Sequence, residues 1–320
     1  MPEKSSRTKA SYFLGFDGGG TKTECVLLDR EGMVVTRSLE GPSNPLRTGY
    51  TRAWFALSEA ADAVLRHEKI TGNDIRGVCA GLGGAGRASV ARRIATFLER
   101  SYPNAQVRVT TDLEIALEAA FEPGLEGMIL LAGTGSAAFG RGANGRTARV
   151  GGRGPWISDE GSAFDIGRQA VRAVALAEEN RGPSTDLSAR LLVWHQLRDW
   201  NVLLESIAKN PDNVFPSTFP LVAELADAGD AVSREILSRA AVSLAGIAHA
   251  VAGQLGWQNR DVPIGKVGGV YGRSKHLDSS IEAEIRKALP QARLTSLTIS
   301  PAEAAARTAL QMFRAEGHAA

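Results

Sequence analysis

The sequence predicts an α/β protein that is built from two similar halves. The first observation is that residues 12–39 read as three strands, separated by a turn rich in Gly and Thr and by a DREG turn. Residues 127–152 repeat this order of strand, Gly/Thr turn, strand, Gly-containing turn and strand. The second observation is that strands and helices alternate after residue 50, which favours a sheet covered by helices. Because the spacing of the two passages matches better than their letters, we expect a duplicated architecture.

The elements of the first half follow from hydrophobic periodicity. Apolar runs bounded by turn residues indicate strands, whereas Trp54, Leu57 and Ala61 recur at the spacing of one helix face. The predicted elements are strands at 12–17, 24–28, 33–39, 75–82 and 107–112, and helices at 50–69, 89–102 and 113–121.

The second half contains the repeated strands and a long helical region. The stretch 160–256 is predicted to be mostly helical, interrupted by Pro-containing loops at 181–185 and 210–220. The other predicted elements are strands at 127–132, 137–141, 147–152, 262–270 and 292–297, and helices at 277–289 and 301–315.

The domain organisation follows from this repeat. We expect a disordered tail at 1–11, an N-terminal domain at 12–115 and a larger C-terminal domain with a helical insertion at 116–320. An alternative is that the closing helix 301–315 packs back on the N-terminal domain.

Composition limits the classes of partner. The chain has 37 basic and 35 acidic side chains, and this balance does not favour nucleic acid or a membrane surface as the main partner. We see no window approaching the roughly 20 apolar residues that span a bilayer, and the first ten residues lack a hydrophobic signal core. Cys25 and Cys79 lie in apolar runs, which is typical of core residues in a reduced protein. We therefore expect a cytoplasmic protein.

The stretch DGGGTKT at residues 17–23 predicts a phosphate-binding loop. Glycines let backbone N–H groups converge on an anion, and threonine hydroxyls add donors. Asp17 beside such a loop fits a Mg²⁺ ion that is held mostly through water. The alternative is a glycine-rich hairpin turn that binds nothing, and no GxxxxGK[ST] motif occurs in the chain. The residues predicted to bind nucleotide phosphates here are Gly18, Gly19, Gly20, Thr21 and Lys22.

Two further glycine turns follow apolar strands. The GTGS sequence at 133–136 comes directly after a strand, and as the second unit of this kind it predicts a second phosphate loop. Gly268 and Gly269 stand between a strand and a helix. Alone, they are equally well explained as an ordinary strand-to-helix turn.

The sequence GLGGAG at 81–86 offers an alternative nucleotide motif. It satisfies G-x-G-x-x-G between a strand and a helix, as in dinucleotide-binding units. The next acidic strand end, Asp112, lies later than the about 20 residues expected for such a unit. A three-strand element also precedes the motif, and a dinucleotide-binding fold has no use for it. We therefore do not favour this interpretation.

Two acidic stretches point to an acceptor with hydroxyl groups. Asp112 lies at the carboxyl end of a strand, where it could accept a proton from a hydroxyl that attacks phosphorus; it is also a plausible cap of the next helix. The stretch 151–167 places Asp159 and Glu160 after three glycines. Carboxylates accept two hydrogen bonds at once, which suits vicinal sugar hydroxyls. The alternative for this stretch is a helix N-terminus.

These stretches together resemble the N-acetylglucosamine kinase branch of the BadF/BadG/BcrA/BcrD group, within the actin-like sugar kinase and Hsp70 superfamily. DGGGTKT, GPSNP, TTD, LAGTGS, GGRGPWISDEGSAFDIG and VGGVYG occur in the family's order, and the resemblance covers residues 12–313. It implies two ribonuclease-H-like domains with a cleft between them. It also implies ATP and Mg²⁺, a small amino sugar as substrate, and a homodimer.

The resemblance assigns roles by position. Asp17 resembles the Mg²⁺-linked acid, and Asp112 resembles the catalytic base that also contacts the sugar. The positions that resemble ATP-binding residues are Gly19, Gly20, Thr21, Thr134, Gly135, Gly268 and Gly269. The positions that resemble or adjoin sugar contacts are Asn44, Ser136, Gly152, Arg153, Gly154 and Asp159. Arg153 and Ser158 depart from the family's common Trp and Gly, so the choice between an acetamido group and a free amine at the sugar's second carbon stays open.

The leading hypothesis is therefore an ATP-dependent kinase that phosphorylates the 6-hydroxyl of N-acetylglucosamine or glucosamine. One alternative on the same scaffold is an ATPase that activates a partner enzyme. Such activators need cysteines for an iron–sulfur cluster, and this chain has only two cysteines. The other alternative is a silent nucleotide or sugar sensor, against which the three acids Asp17, Asp112 and Asp159 argue.

Overall fold

The computed structural model describes residues 11–317, and these form two compact units. The first unit contains residues 11–123 and 298–317, and the second contains residues 124–297. The predicted tail at 1–11 lies outside the described residues except for Ser11.

The first unit is built on a five-stranded sheet with the order β3-β2-β1-β4-β5. The first three strands are antiparallel, and the last two run parallel to the central strand. The strands are β1 Tyr12–Gly18, β2 Thr23–Leu28, β3 Val34–Glu40, β4 Ile75–Leu82 and β5 Gln106–Thr110. The helices are α1 Pro45–Thr48, α2 Tyr50–Glu68, α3 Ala88–Ser101, α4 Asp112–Ala120 and, from the chain's end, α11 Pro301–Gly317.

Both faces of this sheet are buried. On one face, Leu14 and Phe16 pack with apolar residues of α2 and α3. On the other face, Phe13 and Cys79 pack against the alanine-rich side of α11. Gly15 allows this close packing, because a Cβ there would overlap with the backbone of α11 at Ala306. The closing helix therefore belongs to the first sheet.

The second unit repeats the same topology. Its sheet has the order β10-β9-β6-β7-β8, with an antiparallel triple and two strands parallel to the central one. The strands are β6 Gly127–Ala132, β7 Ser136–Arg141, β8 Thr147–Gly151, β9 Pro263–Val267 and β10 Arg293–Ser296. The duplicated α/β architecture that the strand spacing predicted is confirmed.

Six helices complete the second unit. They are α5 Ala163–Glu178, α6 Leu187–Trp194, α7 Trp200–Lys209, α8 Pro211–Ala228, α9 Ala231–Leu255 and α10 Lys275–Ala288. By length and composition alone, α9 could cross a membrane, so our view that no segment approaches such a span was too strict. Half of its most apolar stretch is buried, and it packs against α8, α10 and β7. It is thus a core helix of this unit.

The predicted loop at 210–220 is wrong, because these residues open helix α8. Pro216 and Pro220 lie inside the helix, and each removes one backbone hydrogen bond. Burial offsets that loss, since Phe215 and Phe219 are almost fully buried. The hydroxyl of Thr218 also donates to the carbonyl oxygen one turn earlier, at 2.8 Å. The prolines alone predict a loop, but the apolar residues between them form a buried helix face that decides the structure.

Candidate functional site

The DGGGTKT stretch of the first unit forms the turn between β1 and β2. The Gly19 N–H donates to the carbonyl of Lys22 at 3.0 Å and closes the turn. A Cβ on Gly18 would overlap with the hydroxyl of Ser43, whereas a Cβ on Gly19 would meet nothing within 4 Å. Gly18 is therefore required for packing, and the absence of a side chain on Gly19 leaves open space at its Cα for an approaching ligand.

This turn is hydrogen-bonded to the segment that contains Asn44. The carbonyl of Gly19 accepts from the N–H groups of Ser43 at 3.1 Å and Asn44 at 3.0 Å. The hydroxyl of Thr23 donates to the Ser43 hydroxyl at 2.8 Å. The Asn44 side chain caps α1 by accepting from the N–H of Leu46 at 3.0 Å. The phosphate-loop candidate and the sugar-binding candidate are thus one connected structure.

Asn44 and Asp112 converge on the GLGGAG turn. A Cβ on Gly83 would lie 2.9 Å from Asn44 Nδ2 and 3.5 Å from Asp112 Oδ2. A Cβ on Gly84 would lie 2.9 Å from Asn44 Oδ1. The Gly83 N–H also donates to the carbonyl of Gly18 at 2.8 Å. These glycines let two polar side chains approach the backbone beside the first glycine loop.

Asp112 is not the cap of α4, contrary to the expectation from the sequence. Thr111 is the N-cap: its hydroxyl accepts from the Glu114 N–H at 3.2 Å, and the Glu114 carboxylate accepts from the Thr111 N–H at 3.0 Å. This reciprocal pair satisfies the first turn of the helix. Asp112 is the first helical residue, and its Oδ1 accepts from the adjacent Leu113 N–H at 3.0 Å.

The charge of Asp17 is strongly perturbed. Burial, together with the nearby carboxylates of Asp112 and Glu24, raises the pKa of Asp17 from 3.8 to about 7, although Lys22 acts in the opposite direction. Two acids that disfavour each other's ionised form mark a position where a cation would be stabilised.

In the second unit, the GTGS loop and Asp159 lie together. The Gly133 N–H donates to the Gly135 carbonyl at 2.9 Å, so the loop is a tight turn between β6 and β7. A Cβ on Gly135 would lie 2.8 Å from Asp159 Oδ2. The Ser136 hydroxyl is buried and donates to the carbonyl of Glu160 at 2.7 Å. Gly135 therefore makes room for the Asp159 carboxylate, and Ser136 holds the segment that follows it.

The helix N-terminus in the DEGS stretch is formed by Ser162, not by Asp159. The Ser162 hydroxyl accepts from the Asp165 N–H at 3.2 Å. Asp165 in turn accepts from the Gly161 N–H at 3.1 Å. Asp159 is 7 % exposed and is not used as the helix cap.

The segment between β8 and Asp159 is a compact loop. Gly151, Gly152 and Gly154 have positive φ angles of 82°, 67° and 110°. The Gly152 N–H donates to the Ser158 carbonyl at 3.1 Å, and an Arg149 guanidinium nitrogen donates to the Gly152 carbonyl at 2.9 Å. Arg153 is exposed on this loop. Hydrogen bonds to both the N–H and the carbonyl of Gly152 thus hold the backbone of this loop.

Gly268 and Gly269 lie at the end of β9, beside the GTGS loop of the same unit. Gly268 has a φ of 108°, and a Cβ there would overlap with the carbonyl of Ala132. A Cβ on Gly269 would meet nothing within 4 Å. The Val270 N–H donates to the Ala132 carbonyl at 3.1 Å and fixes this turn against β6.

The sequence reasoning missed Arg47, Gly83 and Gly84. The glycines were quoted only as part of a dinucleotide motif, and the signal for their actual role is their place after β4, at the carboxyl end of a parallel strand. Arg47 follows Asn44 in a short helix and lies over Gly20. Nothing in its local sequence marks it.

The two units share one topology, and in each unit a glycine turn follows the first strand of the antiparallel triple, with acidic residues beside it. These features define a two-domain protein of the actin-like ATPase and sugar kinase fold. A crystal structure from Chromobacterium violaceum, described as a suggested N-acetylglucosamine kinase, is 23% identical, with a TM-score of 0.77 over 94% of this chain and 98% of that one. This similarity shows the fold.

The model of the BadF/BadG/BcrA/BcrD ATPase family matches residues 14–306, and the chain belongs to this family. An N-acetyl-D-glucosamine kinase of Dictyostelium discoideum is 31% identical over 93% of this chain and 97% of its own length. An N-acetylmuramic acid/N-acetylglucosamine kinase of Clostridium acetobutylicum is 30% identical over 89% of this chain and 94% of its own length.

Proposed function

We propose that this protein is an ATP-dependent amino-sugar kinase that transfers the γ-phosphate of ATP to the 6-hydroxyl of N-acetylglucosamine or glucosamine. The observation that supports it most is the convergence of Asn44 and Asp112 on Gly83, whose N–H donates to the Gly18 carbonyl at 2.8 Å. An acid and an amide that could bind a sugar thus lie directly beside a glycine loop that could bind phosphate.

Asp112 is the proposed general base. Because Thr111 caps the helix, the Asp112 carboxylate is not needed for that purpose. In the proposed reaction the 6-hydroxyl proton passes to Asp112 as the hydroxyl oxygen forms a bond to the γ-phosphorus. The bond from the γ-phosphorus to the bridging oxygen breaks, and ADP leaves with that electron pair.

Asp17 fits a Mg²⁺ ion. Its carboxylate lies close enough to Asp112 and Glu24 for their charges to raise its pKa, so a divalent cation would relieve repulsion between these acids. When bound, Mg²⁺ neutralises charge on the nucleotide phosphates. Asp17 would hold it, and Lys22 would add a further positive charge at the loop.

The remaining roles divide between the two units. In the first unit, Gly19 leaves space for phosphate at its Cα, with Gly18, Gly20, Thr21 and Lys22 shaping or extending the loop. In the second unit, Thr134, Gly135, Gly268 and Gly269 are assigned to ATP. Asn44, Ser136, Gly152, Arg153, Gly154 and Asp159 are assigned to the sugar, with Ser136 acting through Glu160.

A coupled ADP-release assay with a panel of amino sugars and hexoses tests this function. We expect sugar-dependent ADP release that is greatest with N-acetylglucosamine or glucosamine. Asp112→Asn should lower kcat by about 10² to 10⁴ and leave ATP affinity within about twofold. Asp62→Asn, an exposed acid on α2, is the matched control and should keep full activity.

An ATPase that activates a partner enzyme is the other candidate. ATP hydrolysis that no sugar stimulates would favour it over the kinase. The cysteines do not favour it, because Cys25 and Cys79 are both fully buried and pack in different apolar clusters of the first unit. A cytoplasmic location and a homodimer belong to the same proposal; sedimentation of the purified protein would test the dimer.

A further inference from the structure

We propose that Arg47 is a further catalytic residue, whose guanidinium binds the γ-phosphoryl group of ATP. The inference rests on the proposed function in taking the loop at 17–22 as a phosphate site. Arg47 was not among the residues that the sequence or the family resemblance pointed to.

The position of Arg47 is given by its contact with the glycine loop. A Cβ on Gly20 would lie 2.6 Å from Arg47 Nη1, 3.1 Å from its Cδ and 3.5 Å from its Cζ. The guanidinium and the end of its aliphatic chain therefore lie against the Gly20 backbone. A side chain on residue 20 would meet the arginine, whose flexible end would then have to shift.

Backbone hydrogen bonds hold Arg47 in register with the loop. The Gly19 carbonyl accepts from the N–H groups of Ser43 and Asn44, at 3.1 Å and 3.0 Å. The Arg47 N–H donates to the Asn44 carbonyl at 3.0 Å within the first turn of α1. Arg47 is thus tied through Asn44 to the same glycine loop that its side chain covers.

The chemistry of a guanidinium suits the terminal phosphate. It offers a planar fork of donors that matches two phosphate oxygens, and it stays charged at any physiological pH. The side chain is exposed to solvent, so a ligand at the loop can reach it. Arg47 is in the helix that Asn44 caps. If Asn44 binds the sugar as proposed, Arg47 lies on the side of the loop where the phosphoryl group is transferred, and there negative charge spreads over three oxygens.

The test separates binding of the terminal phosphate from general effects. Arg47→Ala should lower kcat by about 100-fold, the order found for removing one preorganised donor. Affinity for a non-hydrolysable ATP analogue should fall about tenfold, the loss of one hydrogen bond to a charged group, while ADP affinity stays within about twofold. Arg47→Lys keeps the charge without the fork and should give an intermediate loss. Arg52→Ala removes another exposed arginine, on α2, and should resemble the wild type.

Gly20→Ala is a second variant, because its methyl group would push the guanidinium away while keeping Arg47 in the chain. Since Gly20 is itself in the proposed phosphate loop, an equal loss of analogue and ADP affinity reports on the loop, and only a change in their ratio reports on Arg47. It should lower the ratio of analogue to ADP affinity in the same direction as Arg47→Ala. If Arg47→Ala lowers thermal stability, Arg47→Met is measured instead, because it retains the aliphatic contact with Gly20 without the charge. Its affinity ratio and kcat then decide whether the guanidinium binds the terminal phosphate.

A wild-type affinity ratio and a wild-type kcat in the uncharged Arg47 variants would overturn the inference. An equal loss in Arg52→Ala would do the same, since it would indicate general electrostatics. If the wild-type protein phosphorylates no sugar in the panel, the proposed function fails. The ratio of analogue to ADP affinity would still show whether Arg47 binds the terminal phosphate.

Discussion

The two strand–turn–strand loops share one backbone plan but place their glycines against different neighbours. In the first unit, Gly18 and Gly20 make room for the hydroxyl of Ser43 and the guanidinium of Arg47. In the second, Gly135 makes room for the carboxylate of Asp159. The first loop therefore has a guanidinium beside it, which suits phosphate. The second loop, which is assigned to ATP through Thr134 and Gly135, has a carboxylate beside it, which suits the sugar hydroxyls assigned to Asp159.

The open glycines are distributed differently as well. Gly19 lies inside the first loop, whereas Gly269, one of several open glycines in the second unit, lies in the separate turn after β9. Inside the GTGS loop, a Cβ on Gly133 would meet only the Gly268 Cα, at 4.0 Å. A glycine without a positive φ whose Cβ would meet nothing is not required by packing, so a ligand is the remaining reason for it. A glycine whose Cβ would overlap with backbone is needed for the fold. The two classes predict opposite phenotypes for the same Gly→Ala change.

The largest expected effect is on folding, at Gly268. Its φ of 108° and the overlap of a Cβ with the Ala132 carbonyl make alanine unfavourable. We expect Gly268→Ala to lower the free energy of unfolding by about 3 kcal/mol, through strain and clash together. Urea denaturation of the wild type, Gly268→Ala and Gly269→Ala measures this. Similar losses in both variants would break the distinction between packing and open glycines.

At Gly19 the effect should be on ligand binding alone. Gly19→Ala should change the free energy of unfolding by less than about 0.5 kcal/mol, since the methyl group meets no atom within 4 Å. ATP affinity should fall about tenfold or more, because the methyl group would occupy the space through which phosphate approaches the loop, and the loss of one charge-assisted hydrogen bond to the loop is of this size. Gly41→Ala is the matched control, as it is also an open glycine in the first unit. Unchanged ATP affinity in Gly19→Ala would remove the main support for a phosphate at this turn.

The first loop should also show a pH signature. Folding raises the pKa of Asp17 from 3.8 to about 7, so the folded state binds more protons than the unfolded state between these values, and stability falls as pH rises through this window. In EDTA, Asp17→Asn removes this penalty. Its free energy of unfolding relative to the wild type should therefore rise by about 2 to 3 kcal/mol between pH 5 and pH 8.

Asp112→Asn provides the second arm of that experiment. It removes the negative charge that, after burial, contributes most to the raised pKa of Asp17. The stability of this variant should fall less steeply with pH than that of the wild type. Parallel profiles for the wild type and Asp17→Asn would show that Asp17 ionises normally in the folded protein.

The sequence predicted the repeated topology because strands, turns and the alternation with helices have local signals. Gly18 and Thr23 flank a turn that its glycine and threonine content alone indicates. The contact of Arg47 with Gly20 has no such signal, since it depends on how the segment around Ser43 bonds to the loop. The helix at Pro211–Ala228 was missed because a local proline rule was applied where burial of an apolar face decides the outcome.

The GLGGAG stretch also shows what a local sequence motif cannot predict. We considered its pattern only as a dinucleotide motif, although glycines after a strand also indicate close approach to a backbone. The pattern could not indicate that Asn44 and Asp112 are the groups that approach Gly83 and Gly84. A glycine motif predicts space, and only the tertiary structure identifies what fills it.

The smallest expected effect concerns the sugar-side loop of the second unit. Arg149 donates to the Gly152 carbonyl at 2.9 Å, from an exposed side chain. One such hydrogen bond contributes about 0.5 to 1.5 kcal/mol. Arg149→Ala should therefore raise the KM for the amino sugar a few-fold, about 2 to 10 times, and leave the affinity for ATP unchanged. Arg146→Ala, at the start of β8 and also exposed, controls for the loss of positive charge. Equal effects of both variants on the sugar, or a change in ATP affinity with Arg149→Ala, would show that this loop does not serve the sugar separately from the nucleotide.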